Sequence, residues 1–422
     1  MDKFLIKGGK SLKGKIEVRG AKNAATPILA ACLLTQEPCI IDNLPLIEDV
    51  FRMIEILKSM GVKAEFLSER KIKLQAADIN PDKIDQQAVC KMRSSILVLG
   101  PLFARFGDFK IAHPGGCLIG ARPVTAHFEG FKDLGAEINQ DEQFYYFKKS
   151  KERVAPSQII LSEFSVTATE NLMMAAALRP EKTVIKIAAA EPHVQDLGEF
   201  LIKMGVKIEG LGTHTLIIEG KEELSGAQHH LIYDPIEAGT FIIAAAATRG
   251  EVEVENLNPD HLDLVFEKLK EMGVNFKINQ NSVFVKPSTN FKAAVKIQTL
   301  PYPGIPTDLQ APFAVLCTQA NGTTLIHDPL YEGRFKYINE LAKMGANAVI
   351  ADPHRALITG PTPLYGTQIT SYDLRAGATL IIAALVAEGE SEISEIYQVD
   401  RGYEKIEERL QKLGADIKRI KE

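Results

Sequence analysis

Two kinds of apolar pattern take turns along this chain. Amphipathic helical segments with one polar face end in a glycine turn at Gly61, Gly135, Gly205, Gly273, Gly345 and Gly414, roughly 70 residues apart. The residues before each glycine are alike, as in Leu57 to Gly61, Leu201 to Gly205 and Leu269 to Gly273. Glycine here is the left-handed cap that closes a helix. Strict alternation follows, as in Val62 to Phe66 and Val206 to Glu209, which predicts strands.

Between these landmarks run segments that are apolar or small on every side, such as Ala24 to Leu34, Leu172 to Leu178 and Ala376 to Ala387. They open at Lys22, Arg93, Ser165, Glu237, Asp308 and Asp373, again roughly 70 residues apart. A helix apolar all round is buried, whereas one with a polar face lies outside. Each unit therefore reads as an inner helix, a strand, an outer helix and further strands. A solenoid fits less well, because such arrays usually repeat every ~20–50 residues.

Six units exceed what one hydrophobic core organises, so two domains of three units each are expected. After Gly414 the last unit has one strand-like segment, Ala415 to Ile420, while residues 4–19 supply strands that follow no unit. Grouping them gives one domain at 22–233 and another at 1–21 plus 234–422, with hinges near 21 and 233. The fold class is α/β, a mixed sheet wrapped around buried helices in each half.

Composition narrows the function. With a net charge of -5 over 422 residues, the chain does not read as a general nucleic-acid or membrane-surface binder, and any anionic ligand needs a local basic site. No signal peptide is legible in Met1 to Gly8, and no apolar run reaches the ~18–20 residues of a spanning helix. The five cysteines are scattered without a C-x-x-C pair, and the nine histidines have no ligand spacing. Reduced thiols, a cytoplasmic location and no metal are expected.

Two inner helices open on cations, and a third carries one within its first turn. Helix N-termini carry partial positive charge and favour Asp, Glu, Ser or Thr, as at Ser165, Glu237, Asp308 and Asp373. Lys22 and Arg93 break that rule, and Arg375 stands within the first turn of the helix opening at Asp373. Either a neighbouring acid pairs with each, or they hold a phosphate or carboxylate together with free backbone N–H groups; three in equivalent units favour the anion site. Gly8-Gly9-Lys10-Ser11 lacks the earlier glycine of a phosphate-binding loop and reads as a hairpin turn. The glycine-rich stretch from His113 to Pro123 reads as a loop carrying Cys117 beside His113 and Arg122. Nearby positive charge favours its thiolate, and a bound anion keeps the proton on sulfur, as a general acid needs.

Taken together, Arg19 to Ala24, Lys91 to Ser95, Pro114 to Cys117 with Gly120 to Pro123, Pro306 to Asp308, Asp373 to Ala376 and Asp400 to Tyr403 resemble the motif set of the enolpyruvyl transferases that act on UDP-N-acetylglucosamine. The resemblance spans nearly the whole chain. It implies an inside-out α/β barrel in two domains that close on the ligands, no cofactor, and the first committed step of peptidoglycan precursor synthesis. It implies that Lys22 and Asn23 hold phosphoenolpyruvate while Arg122 and Arg401 grip its charged groups. Arg93, the stretch Arg122, Pro123, Val124, Thr125 and Ala126, together with Ser165, Val166, Asp308 and Leu330, would contact the sugar nucleotide, and Arg375 the anions. Cys117 would protonate the enol carbon and form a covalent adduct, Asp308 would take the sugar hydroxyl proton, and Asp373 would help move the second proton. Thr125-Ala126 stands where an acidic-then-aliphatic pair is usual, and Glu163 and Thr167 where lysine and glycine are common, all in the expected uridine pocket. The rival readings are the sister enzyme acting on shikimate 3-phosphate, which usually has serine at the Asn23 position and lacks the cysteine loop, and a non-catalytic sugar-nucleotide sensor.

Overall fold

The computed structural model describes residues 2–115, 123–150 and 157–421. They form two compact units, one from residues 2–19 and 233–421, the other from 20–115, 123–150 and 157–232. In each, three sheets enclose buried helices, the inside-out α/β barrel. All six glycine landmarks have the left-handed backbone that a side chain resists, with φ from 80° at Gly273 to 109° at Gly205.

One repeat shows how the pattern builds the fold. Strand Lys296–Gln298 leads into helix Thr307–Thr318, which returns the chain to strand Gly322–His327, parallel to the first. The outer helix Lys336–Lys343 follows, then the antiparallel pair Asn347–Asp352 and Arg355–Gly360. The inner helices are apolar all round because no side of them meets water. Every residue of Pro235–Ala247 is buried, and all of Leu374–Val386 except Val386. In Asp263–Glu271, an outer helix, the buried residues are Val265, Phe266 and Leu269, the stripe of an amphipathic helix. Among the described residues no helix is long and apolar enough to cross a membrane.

The chain start completes two sheets. Strand Lys3–Lys7 lies between Glu390–Ser394 and Asp416–Ile420, antiparallel to both, where the other repeats place the second strand of their own hairpin. Strand Lys13–Glu17 runs parallel to Glu251–Glu255. Gly8 to Ser11 is therefore not a hairpin turn, because the strands on either side join different sheets. At Gly8 a Cβ would strike the carbonyls of Ala384 and Ala387, and Gly9 has φ 80°, so this crossing requires glycine twice. In the other unit, Gln228–His230 pairs parallel with Cys39–Asp42 and closes that barrel.

One inner helix departs from the sequence pattern. The segment opening at Arg93 is a 3-10 helix over Arg93–Val98 and becomes α-helical only over Leu99–Arg105. Pro101 has no N–H for the Leu97 carbonyl. The buried side chain of Asn171 inserts into the helical hydrogen-bond ladder here: its Oδ1 accepts from Gly100 N at 2.7 Å, and its Nδ2 donates to the Ile96 carbonyl at 3.0 Å. The amide thus replaces the bond that Gly100 would make to Ile96. Asn171→Leu strands both backbone groups in the core and should cost about 2–4 kcal/mol. Urea unfolding measures this, and a loss below about 1 kcal/mol would contradict the bridging role.

Candidate active site

In the unit containing residues 233–421, Asp308 is the second residue of Thr307–Thr318. Its Oδ1 accepts from Arg334 Nη2 at 2.6 Å and its Oδ2 from Arg375 Nε at 3.0 Å. Arg375 is the second residue of Leu374–Val386, whose N-cap is Asp373. The Asp373 Oδ1 accepts from the backbone N–H of Arg375 at 2.8 Å and of Ala376 at 2.9 Å. One carboxylate therefore fixes the helix start that presents Arg375, and a second carboxylate receives its guanidinium.

Arg375 is only 3% exposed, and its guanidinium lies 5.2 Å from the centre of the Tyr403 ring. The Tyr403 hydroxyl is 2.9 Å from Thr240 Oγ1, which holds the ring in place. Arg334, also nearly buried, lies 5.4 Å from the Tyr331 ring centre. Burial alone would raise the Asp308 pKa, but the charges of Arg375 and Arg334 outweigh it and hold the carboxyl well below the usual range. Desolvation lowers the pKa of both arginines; for Arg334 the Asp308 charge reverses this, and for Arg375 Tyr403 and Asp308 do so, leaving both raised.

The sign of the pH dependence follows. A depressed carboxyl pKa contributes stability that is complete above the unfolded value of about 3.9 and is lost as pH falls through the folded value. Arg334→Met removes part of that depression. The stability gap between Arg334→Met and the parent should be widest at neutral pH and narrow as pH falls below about 4. Urea unfolding across that range measures it, and a gap independent of pH would contradict the coupling.

Arg401 ends the short helix Tyr397–Asp400, is 8% exposed, and donates from Nη1 to Gln398 Oε1 at 3.0 Å. A Cβ at Gly402 would strike the Leu374 side chain, so this turn packs directly on the helix start that carries Arg375. Leu330, 39% exposed, donates its N–H to Asp328 Oδ1 at 3.0 Å. The other Asp328 oxygen accepts from Thr307 Oγ1, which ties the Leu330 loop to the turn of Asp308.

In the unit containing residues 20–232, Lys22 is the first residue of Lys22–Ala31, a helix with no side-chain cap and no acid in its first turn. Its Nζ lies 3.0 Å from Asp49 Oδ2, with the Asp49 side chain 2% exposed. Asn23 follows, half-buried. Two of the three cations that the sequence left unbalanced, Lys22 and Arg375, thus have acidic partners from distant sequence. Arg93 is half-buried, and its charge acts against the burial that raises the pKa of Tyr145. The Tyr145 ring stacks on His113 at 4.2 Å. A Cβ at Gly115 would strike the Cys90 carbonyl.

Ser165 caps Val166–Ala177, its Oγ accepting from Ala168 N at 3.4 Å. Thr167 Oγ1 lies 3.0 Å from His127 Nε2 on helix Thr125–Asp133, so the residue found where glycine is common bonds to a neighbouring helix. Val124 caps that helix, Pro123 before it is exposed, and Ala126 is buried in it. Glu163 is exposed. Cys117 and Arg122 lie outside the described residues. Arg334 and Asp49 are the partners of candidate site residues that sequence reading missed, and Tyr403 was read only as part of a motif, without a role. The one signal for Arg334 was a glycine-preceded arginine in the loop before an outer helix, whereas Asp49 looked like any acid in a first helical turn.

A model of the EPSP synthase family (3-phosphoshikimate 1-carboxyvinyltransferase) matches residues 6–410. The chain is 46% identical to a UDP-N-acetylglucosamine 1-carboxyvinyltransferase of Koribacter versatilis, across 100% of this chain and 97% of that one. It is also 46% identical to UDP-N-acetylglucosamine 1-carboxyvinyltransferase 1 of Caldanaerobacter subterraneus, across 99% of each. Among solved structures, the enolpyruvyl transferase NikO of Streptomyces tendae matches with a TM-score of 0.88 and 25% identity over 99% of both chains. An EPSP synthase from Acinetobacter baumannii, at 18% identity over all of both chains and a TM-score of 0.74, shares the fold. The chain belongs to the enolpyruvyl transferase family, and within it to the UDP-N-acetylglucosamine 1-carboxyvinyltransferases.

Proposed function

We propose that this enzyme transfers the enolpyruvyl group of phosphoenolpyruvate to the 3-hydroxyl of UDP-N-acetylglucosamine, with release of phosphate, in peptidoglycan precursor synthesis. The observation that carries this reading is Asp308. It is a carboxylate able to take up a hydroxyl proton, and it stands among guanidiniums able to receive anions. Full-length identity to the relatives named above supports the choice of acceptor.

Addition and elimination need one acid and one base. Cys117 gives its proton to the methylene carbon of phosphoenolpyruvate as the sugar oxygen attacks C2, and Asp308 accepts the hydroxyl proton. The tetrahedral product then loses a methyl proton and expels phosphate as the C2–O bond breaks, with Asp373 assisting the second proton transfer. In place of the sugar, the Cys117 thiol can add across the same double bond, its sulfur to C2 and its proton to C3, to give the covalent adduct. Lys22, Asn23, Arg122 and Arg401 hold phosphoenolpyruvate. Arg93, residues 122–126, Ser165, Val166, Leu330 and Arg375 hold the sugar nucleotide and its charges. Asp308 tied to two guanidiniums is a weak base, and the substrate anions supply the missing step: as they draw Arg334 and Arg375 toward themselves, the carboxylate regains basicity.

Phosphate release from phosphoenolpyruvate tests this with UDP-N-acetylglucosamine, with shikimate 3-phosphate, and with neither. Release with the first alone is expected. Release with shikimate 3-phosphate alone would assign the sister reaction, and none with any would leave a sensor.

A further inference from the structure

The turn that carries Arg401 is helical only over the four residues Tyr397–Asp400, after which the Gly402 and Tyr403 N–H groups both donate to the Val399 carbonyl. It is bracketed by two non-glycine residues in the left-handed region, Glu395 at φ 57° and Lys405 at φ 41°. The left-handed residue after the strand recurs at Asn43, Ile187 and Asn256, so Glu395 follows the repeat, whereas Lys405 is particular to this turn and persists only where its surroundings over-determine it. Arg419 supplies the over-determination. It projects from the strand Asp416–Ile420, opposite Phe4 of the chain's first strand.

The Arg419 guanidinium makes a two-pronged pair with Asp400, from Nη2 to Oδ1 at 2.6 Å and from Nη1 to Oδ2 at 2.9 Å. Its Nε donates to Glu407 Oε1 at 2.6 Å, and its Nη1 is 3.5 Å from Asp2 Oδ2. The plane lies over the Phe4 ring, 4.9 Å from its centre. Asp400 precedes Arg401, and Glu407 follows Lys405, so one planar group fastens the turn on both sides of its strained residue. A single exposed ion pair would contribute little. A planar fork joined to two carboxylates and seated on an aromatic ring sets orientation as well as distance.

We propose that Arg419 is a positioning residue for phosphoenolpyruvate binding, holding through Asp400 and Glu407 the turn that presents Arg401. The proposal rests on the reading that Arg401 grips phosphoenolpyruvate. Arg419 touches no substrate, and its effect passes entirely through the turn.

Steady-state kinetics of the full-length enzyme separate this from a structural role. Arg419→Gln should raise KM for phosphoenolpyruvate about tenfold and leave KM for UDP-N-acetylglucosamine within about twofold. Arg419→Lys keeps the charge without the fork and should recover only part of the loss. The decisive comparison is the double variant: if Arg419 acts through Arg401, Arg401→Gln with Arg419→Gln should be no worse for phosphoenolpyruvate than Arg401→Gln alone. Multiplicative losses, or an Arg419→Gln variant that raises both KM values equally or neither, would overturn the proposal. Should Arg401→Gln itself leave KM for phosphoenolpyruvate unchanged, the assignment of Arg401 fails, and the positioning role with it. Asp400→Asn severs the same fork from the turn side and carries the same test if Arg419→Gln fails to fold.

Discussion

Asp308→Asn should lower turnover at saturating substrates by about a thousandfold, in the range expected when a positioned general base is lost. The amide is nearly isosteric with the carboxylate but cannot take up the sugar hydroxyl proton. Its carbonyl oxygen can still accept from one guanidinium, while its NH2 group faces the other, donor against donor. Two nearly buried arginines, Arg334 and Arg375, then share one neutral acceptor, so stability should fall by about 1–3 kcal/mol. These two effects separate. Arg334→Met disturbs the same cluster and leaves the carboxylate in place, so it should lose stability at neutral pH and retain far more turnover than Asp308→Asn. Stopped-assay kcat with unfolding midpoints for both variants measures this, and an Asp308→Asn enzyme within about tenfold of the parent would remove Asp308 as the base.

Lys22→Met should raise KM for phosphoenolpyruvate by about two orders of magnitude or more, because in the proposed role the substrate loses its cation at a helix start that has no side-chain cap. Stability should suffer as well. The Asp49 carboxylate is almost fully buried, and removing the ammonium 3.0 Å away takes a countercharge from it, at a cost of about 3 kcal/mol. The variant Lys22→Met with Asp49→Asn distinguishes the two consequences. Neutralising the acid should restore most of the stability and none of the affinity. Recovery of both would mean that Lys22 serves only its ion pair.

The six units were legible because each is punctuated locally. Gly61, Gly135, Gly205, Gly273, Gly345 and Gly414 are all left-handed in the structure, and the all-apolar segments at Ala24, Leu172 and Ala376 are all buried helices. The opening of the second inner helix was not legible, since its 3-10 form depends on Asn171, 71 residues from the Gly100 N–H it bonds. Gly8 to Ser11 misled for a related reason: two strands and a glycine turn look like a hairpin unless the sheets that each strand joins are known. At the site, the sequence displayed the cations and hid their partners. Lys22 broke a local helix-end rule and Arg375 stood as a cation in a first helical turn, so both stood out, whereas Asp49 obeyed that rule and Arg334 lies in a loop without periodicity. Long-range ion pairs have no sequence period, so only the fold could assign them.

The central claim is that enolpyruvyl transfer proceeds by protonating the methylene carbon and later removing a proton from the resulting methyl group. Running the reaction in deuterium oxide and weighing the sugar-nucleotide product tests it directly. Addition followed by elimination predicts solvent deuterium in the vinyl group of the product formed from phosphoenolpyruvate and UDP-N-acetylglucosamine. A product formed at the normal rate with no deuterium at that carbon would contradict the account.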